Sequence, residues 1–201
     1  RRKAPAPHTT SKLQQDASNR LGMAPKRAMR IAQQLYEGVT IGKGKSAELV
    51  GLITYIRTDS TRLSADAVTA VREHIEAPYG KASLPAEPNE FKSKNANVQD
   101  AHEAIRPTRM DLAPDVVAAY LTDEQRKLYQ LVWDRFVACQ MTPAVYDQTS
   151  VEIEAAADGR KHLLRASGSV LKVAGGKAVY GASGTPLAGE EPAEGAADDD
   201  E

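Results

Sequence analysis

The chain has 201 residues, of which 41% are hydrophobic, and a formal net charge of −1. That length suffices for one domain with a buried core, or for one domain and part of another. No apolar run approaches the roughly 20 residues of a membrane helix, no signal peptide opens the chain, and the single Cys139 excludes a disulfide framework and a CxxC metal site. These features predict a cytoplasmic protein without a membrane partner.

The charges are segregated along the chain. Residues 190–201 hold seven of the 27 acidic residues and no basic one, whereas residues 1–72 hold 13 basic residues and five acidic ones. A basic N-terminal third with an acidic tail is typical of a protein that binds a polyanion. A basic face that is only solvated is about as common, so charge alone does not decide between these interpretations.

An arm and a first helix are predicted at the N-terminus. Residues 1–7 are basic and contain two prolines, which indicates an arm or a linker. Ser11 and Gln14 have the spacing of a capping box, so a helix is expected to begin near Lys12 and to stop at Gly22.

A second helix is expected between Pro25, which suits a first helical turn, and Gly38. Its apolar stripe consists of Ala28, Ile31, Ala32 and Leu35. Lys26 and Arg30 lie largely off that stripe. Two short helices joined by a tight turn predict a helix-turn-helix-like unit with a basic second helix near nucleic acid, although generic helical hairpins are common. Residues 39–49 are predicted to be a flexible loop.

The most unusual stretch is residues 51–62, Gly-Leu-Ile-Thr-Tyr-Ile-Arg-Thr-Asp-Ser-Thr-Arg. Its β-branched and aromatic residues predict a short strand over residues 52–58. Because side chains alternate across a strand, Tyr55, Arg57 and Asp59 would share one face, opposite a mostly apolar face. The alternative is a half-buried edge strand with a solvated Arg–Asp pair.

A third helix is predicted to begin after Ser64 and to end near Glu76. Its buried stripe is expected to be Val68, Val71 and Ile75. The polar connection over residues 78–97 is long for a compact domain, which indicates a functional or mobile loop.

That connection leads to a second polar cluster at residues 99–108, Gln-Asp-Ala-His-Glu-Ala-Ile-Arg-Pro-Thr. If the cluster forms one helical turn, His102 and Arg106 share a face, and Asp100 and Glu103 could orient the imidazole. The alternative is a polar turn held by its own salt bridges. One histidine flanked by carboxylates is a poor ligand set for zinc, so no metal site is predicted.

A short helix is expected after Pro114, and a long one over residues 123–139 behind a capping box of Thr122 and Gln125. Its predicted core positions are Leu128, Leu131, Val132 and Phe136. Tyr129, Trp133 and Cys139 are interpreted as packing residues, not as a base-stacking surface or a nucleophile.

From residue 142 the pattern changes to strands. Alternation predicts one strand over residues 146–155, a turn at Asp158 and Gly159, and further strands over residues 162–166 and 170–173. From Tyr180 onward Gly, Pro, Ala and acidic residues dominate, which predicts disorder.

Taken together, these stretches resemble the bacterial DNA topoisomerase I family, of the type IA class. The segments at residues 51–61 and 99–108 are specific when found together, and order and spacing agree with the family over about residues 8–180. Ile56 stands where many members have Met. The other matching segments are residues 8–15, 35–38, 128–143 and 165–169.

The resemblance implies roles for particular residues. Tyr55 would be the nucleophile that forms a 5′-phosphotyrosine bond with one DNA strand. Arg57 would contact the scissile phosphate region, and His102 would lie close to the DNA. Asp59 would either position Arg57 or cap the turn. The further DNA-binding candidates are Asp59, Arg106, Lys26 and Arg30.

The resemblance also implies a reaction and its partners. The enzymes of this family relax negatively supercoiled DNA through single-stranded regions, need Mg²⁺ but no ATP, and carry an acidic Toprim domain and further gate domains. The Asp-x-Asp at residues 198–200 lies in the acidic tail, so the Mg²⁺ ligands are expected outside this chain. The chain is therefore expected to be an inactive fragment of a nucleoid-associated protein. The alternative is a non-catalytic helix-turn-helix DNA-binding module in which Tyr55 is structural.

The predicted fold class is mostly α (α+β). A helical domain over residues 8–141 would carry helix-turn-helix-like elements and one short catalytic strand. Part of a β-rich arch would follow over residues 142–180, and a disordered acidic tail or linker over residues 181–201.

Overall fold

A computed structural model describes residues 2–91, 102–157 and 160–184. These residues form an α+β fold of six α-helices and two antiparallel two-stranded sheets, which confirms the predicted class at that level. The helices are α1 (Thr10–Leu21), α2 (Pro25–Glu37), α3 (Ala65–Tyr79), α4 (Pro114–Val117), α5 (Asp123–Cys139) and α6 (Lys177–Ser183). The strands are β1 (Val39–Ile41), β2 (Glu48–Val50), β3 (Val145–Ala157) and β4 (Arg160–Val173).

Helix α5 lies at the centre of the helical body and contacts α1, α2, α3, α4 and α6. Its capping box is confirmed, because Thr122 and Gln125 exchange hydrogen bonds of 3.0 and 3.3 Å between side chain and backbone. The predicted core positions of α2 and α5 are all buried, and so are Trp133 and Cys139. Burial raises the pKa of the Cys139 thiol to about 12, as suits a packing residue.

The start of α1 differs from the prediction. Thr9 is the N-cap and accepts a hydrogen bond from the Lys12 amide, so the capping box at Ser11 and Gln14 was wrong. The helix ends at Gly22, which adopts the left-handed conformation at φ 61° as expected. Helix α3 runs three residues further than predicted, to Tyr79, and includes Pro78 in its last turn.

Two predictions around the central stretch were wrong. Residues 39–49 are mostly a β-hairpin and not a flexible loop, with Val39 opposite Val50 and Ile41 opposite Glu48. Residues 52–58 do not form a strand, and only Ile53 makes an isolated bridge, to Pro107. Strand propensity is realised only where a partner strand lies alongside, and the hydrogen bonds of this segment go to several separate elements.

The C-terminal part is a long ribbon followed by a helix. Strand β4 is continuous over 14 residues, because β3 pairs with it along its length, so the two separate strands predicted there were wrong. Helix α6 covers Tyr180, where disorder was predicted, because Val179 and Tyr180 are buried against the helical body. The predicted turn at residues 158 and 159 and the tail at residues 185–201 lie outside the described residues.

At the N-terminus, Arg2 exchanges backbone hydrogen bonds of 2.8 and 3.0 Å with Ala144, beside the start of β3. This contact ties the first residues to the junction between α5 and the ribbon. None of the helices in the described ranges has both the length and the apolar character to cross a bilayer.

Candidate active site

Thr54 fixes the active-site segment (residues 51–62) on the N-terminal side of Tyr55. Its amide donates to the Arg106 carbonyl at 2.9 Å, and its hydroxyl donates to the Ala104 carbonyl at 2.7 Å. The same hydroxyl accepts a hydrogen bond of 3.0 Å from the Arg106 amide. The segment is therefore held to residues 104–106 by one side chain as well as by the backbone.

Thr10, at the start of α1, fixes the segment on the other side of Tyr55. Its amide donates to the Thr58 carbonyl at 2.9 Å, and its hydroxyl accepts from the Thr58 amide at 2.9 Å. The single hydroxyl proton faces the carbonyls of Ile56 at 2.7 Å and Thr58 at 3.0 Å. The backbone on both sides of Arg57 is thus anchored to helix α1.

The predicted alternation is present from residue 55 to residue 60, although the segment is not a strand. Tyr55, Arg57 and Asp59 are exposed, whereas Ile56, Thr58 and Ser60 are buried. The chain bends at Ile56 and Arg57, and the hydrogen bonds of Thr54 and Thr10 hold it on the two sides of Tyr55. The phenol of Tyr55, the guanidinium of Arg57 and the carboxylate of Asp59 are therefore all accessible to solvent.

The Tyr55 ring lies between two other rings. Its centroid is 5.5 Å from that of Tyr36 in an edge-to-face arrangement, and 5.0 Å from that of His102. Gly51 permits the approach of α2, because a Cβ there would lie 2.7 Å from the Tyr36 carbonyl oxygen. Tyr36 was not predicted as a site residue; the available signal was an aromatic side chain off the apolar stripe of α2.

Arg57 and Asp59 form no ion pair or hydrogen bond with residues 2–91, 102–157 or 160–184. The solvated Arg–Asp pair of the alternative interpretation is thus not observed in this part of the chain. The turn amides are capped instead by Thr58 and Ser60, at 3.0 and 3.2 Å. The exposed guanidinium offers its planar set of donors to an anion.

Residues 102–106 are extended, so the conditional prediction of a helical turn there was wrong. The Ala104 amide bonds to the Arg62 carbonyl at 2.9 Å, and the chain forms backbone bridges instead of a local helix. Arg106 is mostly buried and pairs with Glu103 at 2.5 Å, while also donating to the Pro107 carbonyl at 2.9 Å. The Arg106–Glu103 pair agrees with the alternative interpretation, which predicted salt bridges between residues of this same segment. Asp100 lies outside the described residues.

Lys26 and Arg30 are exposed on α2. At about 1.5 Å of rise per residue, they lie on the order of 15 and 9 Å along the helix axis from Tyr36. They therefore do not join the cluster around Tyr55. Their neighbour Arg27 pairs with Glu124 at 2.5 Å.

Comparison with known proteins identifies the family. Residues 1–195 match the sequence profile of the DNA topoisomerase family. This chain belongs to the DNA topoisomerase family. It is 49% identical over 180 residues to DNA topoisomerase 1 of Xylella fastidiosa (strain Temecula1 / ATCC 700964), a match that covers 90% of this chain and 21% of that protein.

Further comparisons agree with this family. DNA topoisomerase 1 of Rickettsia conorii is 44% identical over 185 residues, which are 92% of this chain and 23% of that protein. The structure of full-length topoisomerase I from Thermotoga maritima aligns with a TM-score of 0.74 and 36% identity, over 96% of this chain and 29% of that one. These relatives support the bacterial type IA class. The chain spans about a fifth of the length of the curated relatives it matches.

A buried charged cluster lies behind the site of this topoisomerase chain, and the sequence did not reveal it. His8 donates from Nε2 to Asp16 at 2.9 Å, and Arg135 of α5 pairs with the same carboxylate oxygen. The His8 carbonyl accepts a 2.8 Å hydrogen bond from the Ile105 amide. The cluster therefore connects α1 and α5 with the wall that carries His102.

The surroundings of this cluster fix its charges. Burial is the main cause that lowers the pKa of His8, to about 4, so the imidazole is neutral at pH 7. Burial alone would raise the pKa of Asp16, but the His8 hydrogen bond and the Arg135 charge outweigh it and hold that pKa well below its usual range. At neutral pH the cluster is thus an Arg–Asp ion pair with a neutral histidine as hydrogen-bond donor.

The family implies Mg²⁺, and the described residues do not fit such a site. Within residues 2–91, 102–157 and 160–184, no three His, Cys, Asp or Glu side chains gather closely enough to hold a metal ion. Ligands for Mg²⁺ would therefore have to come from outside these ranges.

Proposed function

We propose that this chain is the catalytic-tyrosine region of a type IA topoisomerase that relaxes negatively supercoiled DNA through transient single-strand cleavage. The observation that carries the proposal is an exposed Tyr55 phenol and an exposed Arg57 guanidinium two residues apart in a segment that is anchored on both sides of Tyr55. Membership of the DNA topoisomerase family gives this pair its substrate class.

In the proposed reaction, the Tyr55 phenol loses its proton and its oxygen attacks the phosphorus of a backbone phosphodiester. The bond between the Tyr55 oxygen and phosphorus forms while the bond from phosphorus to the 3′ oxygen breaks, and this 3′ oxygen takes up a proton. The phosphorus keeps its bond to the 5′ oxygen, so the product is a 5′-phosphotyrosine. In the reverse step the 3′ hydroxyl attacks and the phenolate leaves. Phenolate is a better leaving group than an alkoxide, so religation is ready and needs no ATP.

The neighbouring side chains have distinct proposed roles. Arg57 would bind the scissile phosphate through two parallel hydrogen bonds and stabilise the charge that develops in the transition state, which a lysine could not reproduce well. Tyr36 and His102 contact the Tyr55 ring and would limit its orientations, and His102 would also face the DNA strand. We assign Lys26 and Arg30 to contacts with DNA further along α2.

The proposal includes partners that the described residues do not supply. Mg²⁺ and its ligands would come from a Toprim domain of the same protein, and strand passage would require the remaining gate domains. We therefore expect the chain alone not to cleave DNA. The DNA substrate would place the whole protein on the nucleoid in the cytoplasm.

Covalent capture of DNA tests the proposal. The chain is mixed with the remaining segment of a relative, including its Toprim domain, and with Mg²⁺ and a 3′-labelled single-stranded oligonucleotide. The new bond is to the 5′ phosphate of the downstream DNA fragment, and this fragment also carries the 3′ label. The label should therefore stay on the protein after denaturation. Tyr55→Phe should lose this capture and keep DNA binding. Tyr120→Phe, which changes a tyrosine outside the ring cluster, should retain both.

Three outcomes would contradict the proposal in whole or in part. Capture by the Tyr55→Phe protein would remove Tyr55 from the nucleophile role. Binding without capture by every variant, including the unmodified chain, would favour the non-catalytic helix-turn-helix module. Mg²⁺-dependent cleavage by the chain alone would refute the proposed need for the Toprim domain.

A further inference from the structure

We propose that Tyr36 is a base-stacking residue, which binds an unstacked nucleobase of the DNA strand beside the phosphate that Tyr55 attacks. Of the seven tyrosines in the chain, Tyr36 and Tyr55 are the two that are exposed, at 38% and 36%. Their ring centroids lie 5.5 Å apart. This inference rests on the proposed function, because DNA and the reacting phosphate are taken from it.

Packing in the core does not account for the Tyr36 side chain. The residue lies off the buried stripe of α2, and its side chain makes no hydrogen bond or ion pair with residues 2–91, 102–157 or 160–184. A single exposed aromatic residue is common on protein surfaces and needs no explanation. Here, however, the exposed rings of Tyr36, Tyr55 and His102 follow one another in a row beside the active-site segment.

The backbone around Tyr36 is fixed. The Leu52 amide donates to the Leu35 carbonyl at 2.8 Å and joins the last turn of α2 to the active-site segment. The Gly38 amide donates to the Gln34 carbonyl at 3.0 Å and caps the same turn. A tyrosine ring has only two side-chain torsions, so a base that binds to this ring immobilises little that is not already held in place.

The geometry of the ring pair leaves room for a base close to the reacting phosphate. The planes of the two rings meet at 65°, so one ring presents its edge to the other and the pair is not a closed stack. At about 3.4 Å per nucleotide along one strand, the 5.5 Å between the centroids corresponds to about one or two nucleotides. A base on Tyr36 therefore belongs to a nucleotide next to the phosphate that Tyr55 attacks.

The charges near Tyr36 indicate that the base, and not a phosphate, lies on this ring. Glu37 is the next residue of α2, is exposed, and accepts a hydrogen bond of 2.6 Å from Gln33. Its negative charge disfavours a phosphate at the end of α2, whereas the exposed Arg57 favours one near Tyr55. Stacking uses the uncharged ring and requires no cation at this position.

This role also explains why the strand must be single. A base in a duplex is stacked between its neighbours, whereas a base in a single strand can turn out and stack on an aromatic side chain. Every base has such a face, so the contact should be tolerant of sequence. Tyr36 would therefore select for unpaired DNA without selecting for a particular base.

Binding of single-stranded DNA that lacks one base tests this inference. The full 201-residue chain is titrated into short labelled oligonucleotides, one intact and the others each with one abasic position, and the affinity is measured by fluorescence anisotropy. With the unmodified chain, one abasic position should weaken binding about five- to 100-fold, the effect of one stacked base. Tyr36→Leu should weaken binding of the intact strand by a similar factor and remove the effect of that abasic position.

Two control variants and a salt series show whether the effect belongs to the ring. Tyr36→Phe keeps the ring and should bind every oligonucleotide as the unmodified chain does. Tyr120→Leu changes a half-buried tyrosine outside the ring cluster and should keep the effect of the abasic position. Tyr36→Leu should leave the slope of log K against log salt unchanged, because no charge is removed. A merely structural role of Tyr36 would not link the loss of affinity to one base.

Two results would overturn the inference. One is equal affinity of the Tyr36→Leu and unmodified proteins for the intact strand. The other is an abasic effect that persists at the same position in the Tyr36→Leu protein, because the base would then lie on another group. Urea unfolding followed by Trp133 fluorescence checks that the variant is folded, and Tyr36→Gln replaces it if it is not. Absence of any binding to single-stranded DNA by the unmodified chain would contradict the proposed function as well, whereas the two results above leave it intact.

Discussion

The active-site segment and the β3–β4 ribbon contain similar extended, β-branched sequences, yet they are stabilised in opposite ways. Every residue of β4 is exposed, including Leu163 and Val170, and the ribbon is a regular ladder of paired residues. The active-site segment has no ladder, but Leu52 and Ile56 are buried and its backbone is bound by helix α1 and residues 104–106. The active-site segment is therefore held in place by contacts with distant elements and not by regular secondary structure.

The largest expected effect on stability comes from breaking the buried ion pair of the helical body, and an exposed ion pair of the ribbon serves as its comparison. Asp16→Asn leaves the Arg135 guanidinium buried without a counter-charge, so we expect the free energy of unfolding to fall by about 3–5 kcal/mol. Glu152→Gln in the ribbon breaks an exposed pair with Arg165 and should cost less than about 1 kcal/mol. Urea unfolding of both variants measures the difference. Equal losses would show that the buried cluster does not support the helical body.

A pH titration of stability separates the same two regions. The folded-state pKa of His8, about 4, lies below the ordinary value of 6.5, so the unfolded state binds a proton first as the pH falls. The buried neutral imidazole of His8 should make its full contribution to the free energy of unfolding above pH 6.5. This contribution should fall by about 3 kcal/mol between pH 6.5 and 4. The lowered pKa of Asp16 adds a further loss below its ordinary value of 3.8.

Urea unfolding at several pH values checks this sign and size. His8→Gln should flatten the decline between pH 6.5 and 4, whereas His162→Gln, in the exposed strand β4, should leave it unchanged. Burial also lowers the pKa of His74, but that contribution is common to all three proteins and cancels in the comparison. A decline of the same slope in the His8→Gln protein would contradict a role for the buried imidazole.

Features that depend on local spacing along the chain could be predicted from the sequence. The stripe of α2 and the capping box at Thr122 depend on residues three or four apart, so local spacing was sufficient for them. The shared exposure of Tyr55 and Arg57 followed from alternation alone. The Asp16–Arg135 pair joins residues 119 positions apart, and no local pattern indicates such a contact.

The errors have the same physical origin. Residues 52–58 have the composition of a strand, but tertiary hydrogen bonds to Thr10 and to residues 104–106 replace the ladder. Tyr36 reaches Tyr55 only because Gly51 admits the end of α2, a close approach that is visible in three dimensions alone. Disorder was predicted from Tyr180 onward because composition does not show that α5 offers this residue a buried position.

The smallest expected effect on stability comes from removing the Thr10 hydroxyl, which anchors the backbone on both sides of Arg57. Thr10→Val keeps the size of the side chain and removes the hydroxyl that bonds to the backbone of Ile56 and Thr58. We expect a loss of about 1–3 kcal/mol in stability, because the Thr58 amide loses its acceptor, and a roughly tenfold lower rate of covalent capture, because the segment that carries Tyr55 and Arg57 loosens.

Two control variants distinguish anchoring from a general loss of stability. Thr10→Ser restores the hydroxyl and should recover the capture rate, whereas Thr149→Val, at an exposed position of β3, should change neither stability nor capture. If Thr10→Val captures DNA as fast as the unmodified chain when mixed with the same Toprim-containing segment, the Thr10 hydrogen bonds do not position the nucleophile. The rigidity of the segment would then depend on the hydrogen bonds of Thr54 and on the burial of Leu52 and Ile56, which Thr10→Val leaves intact.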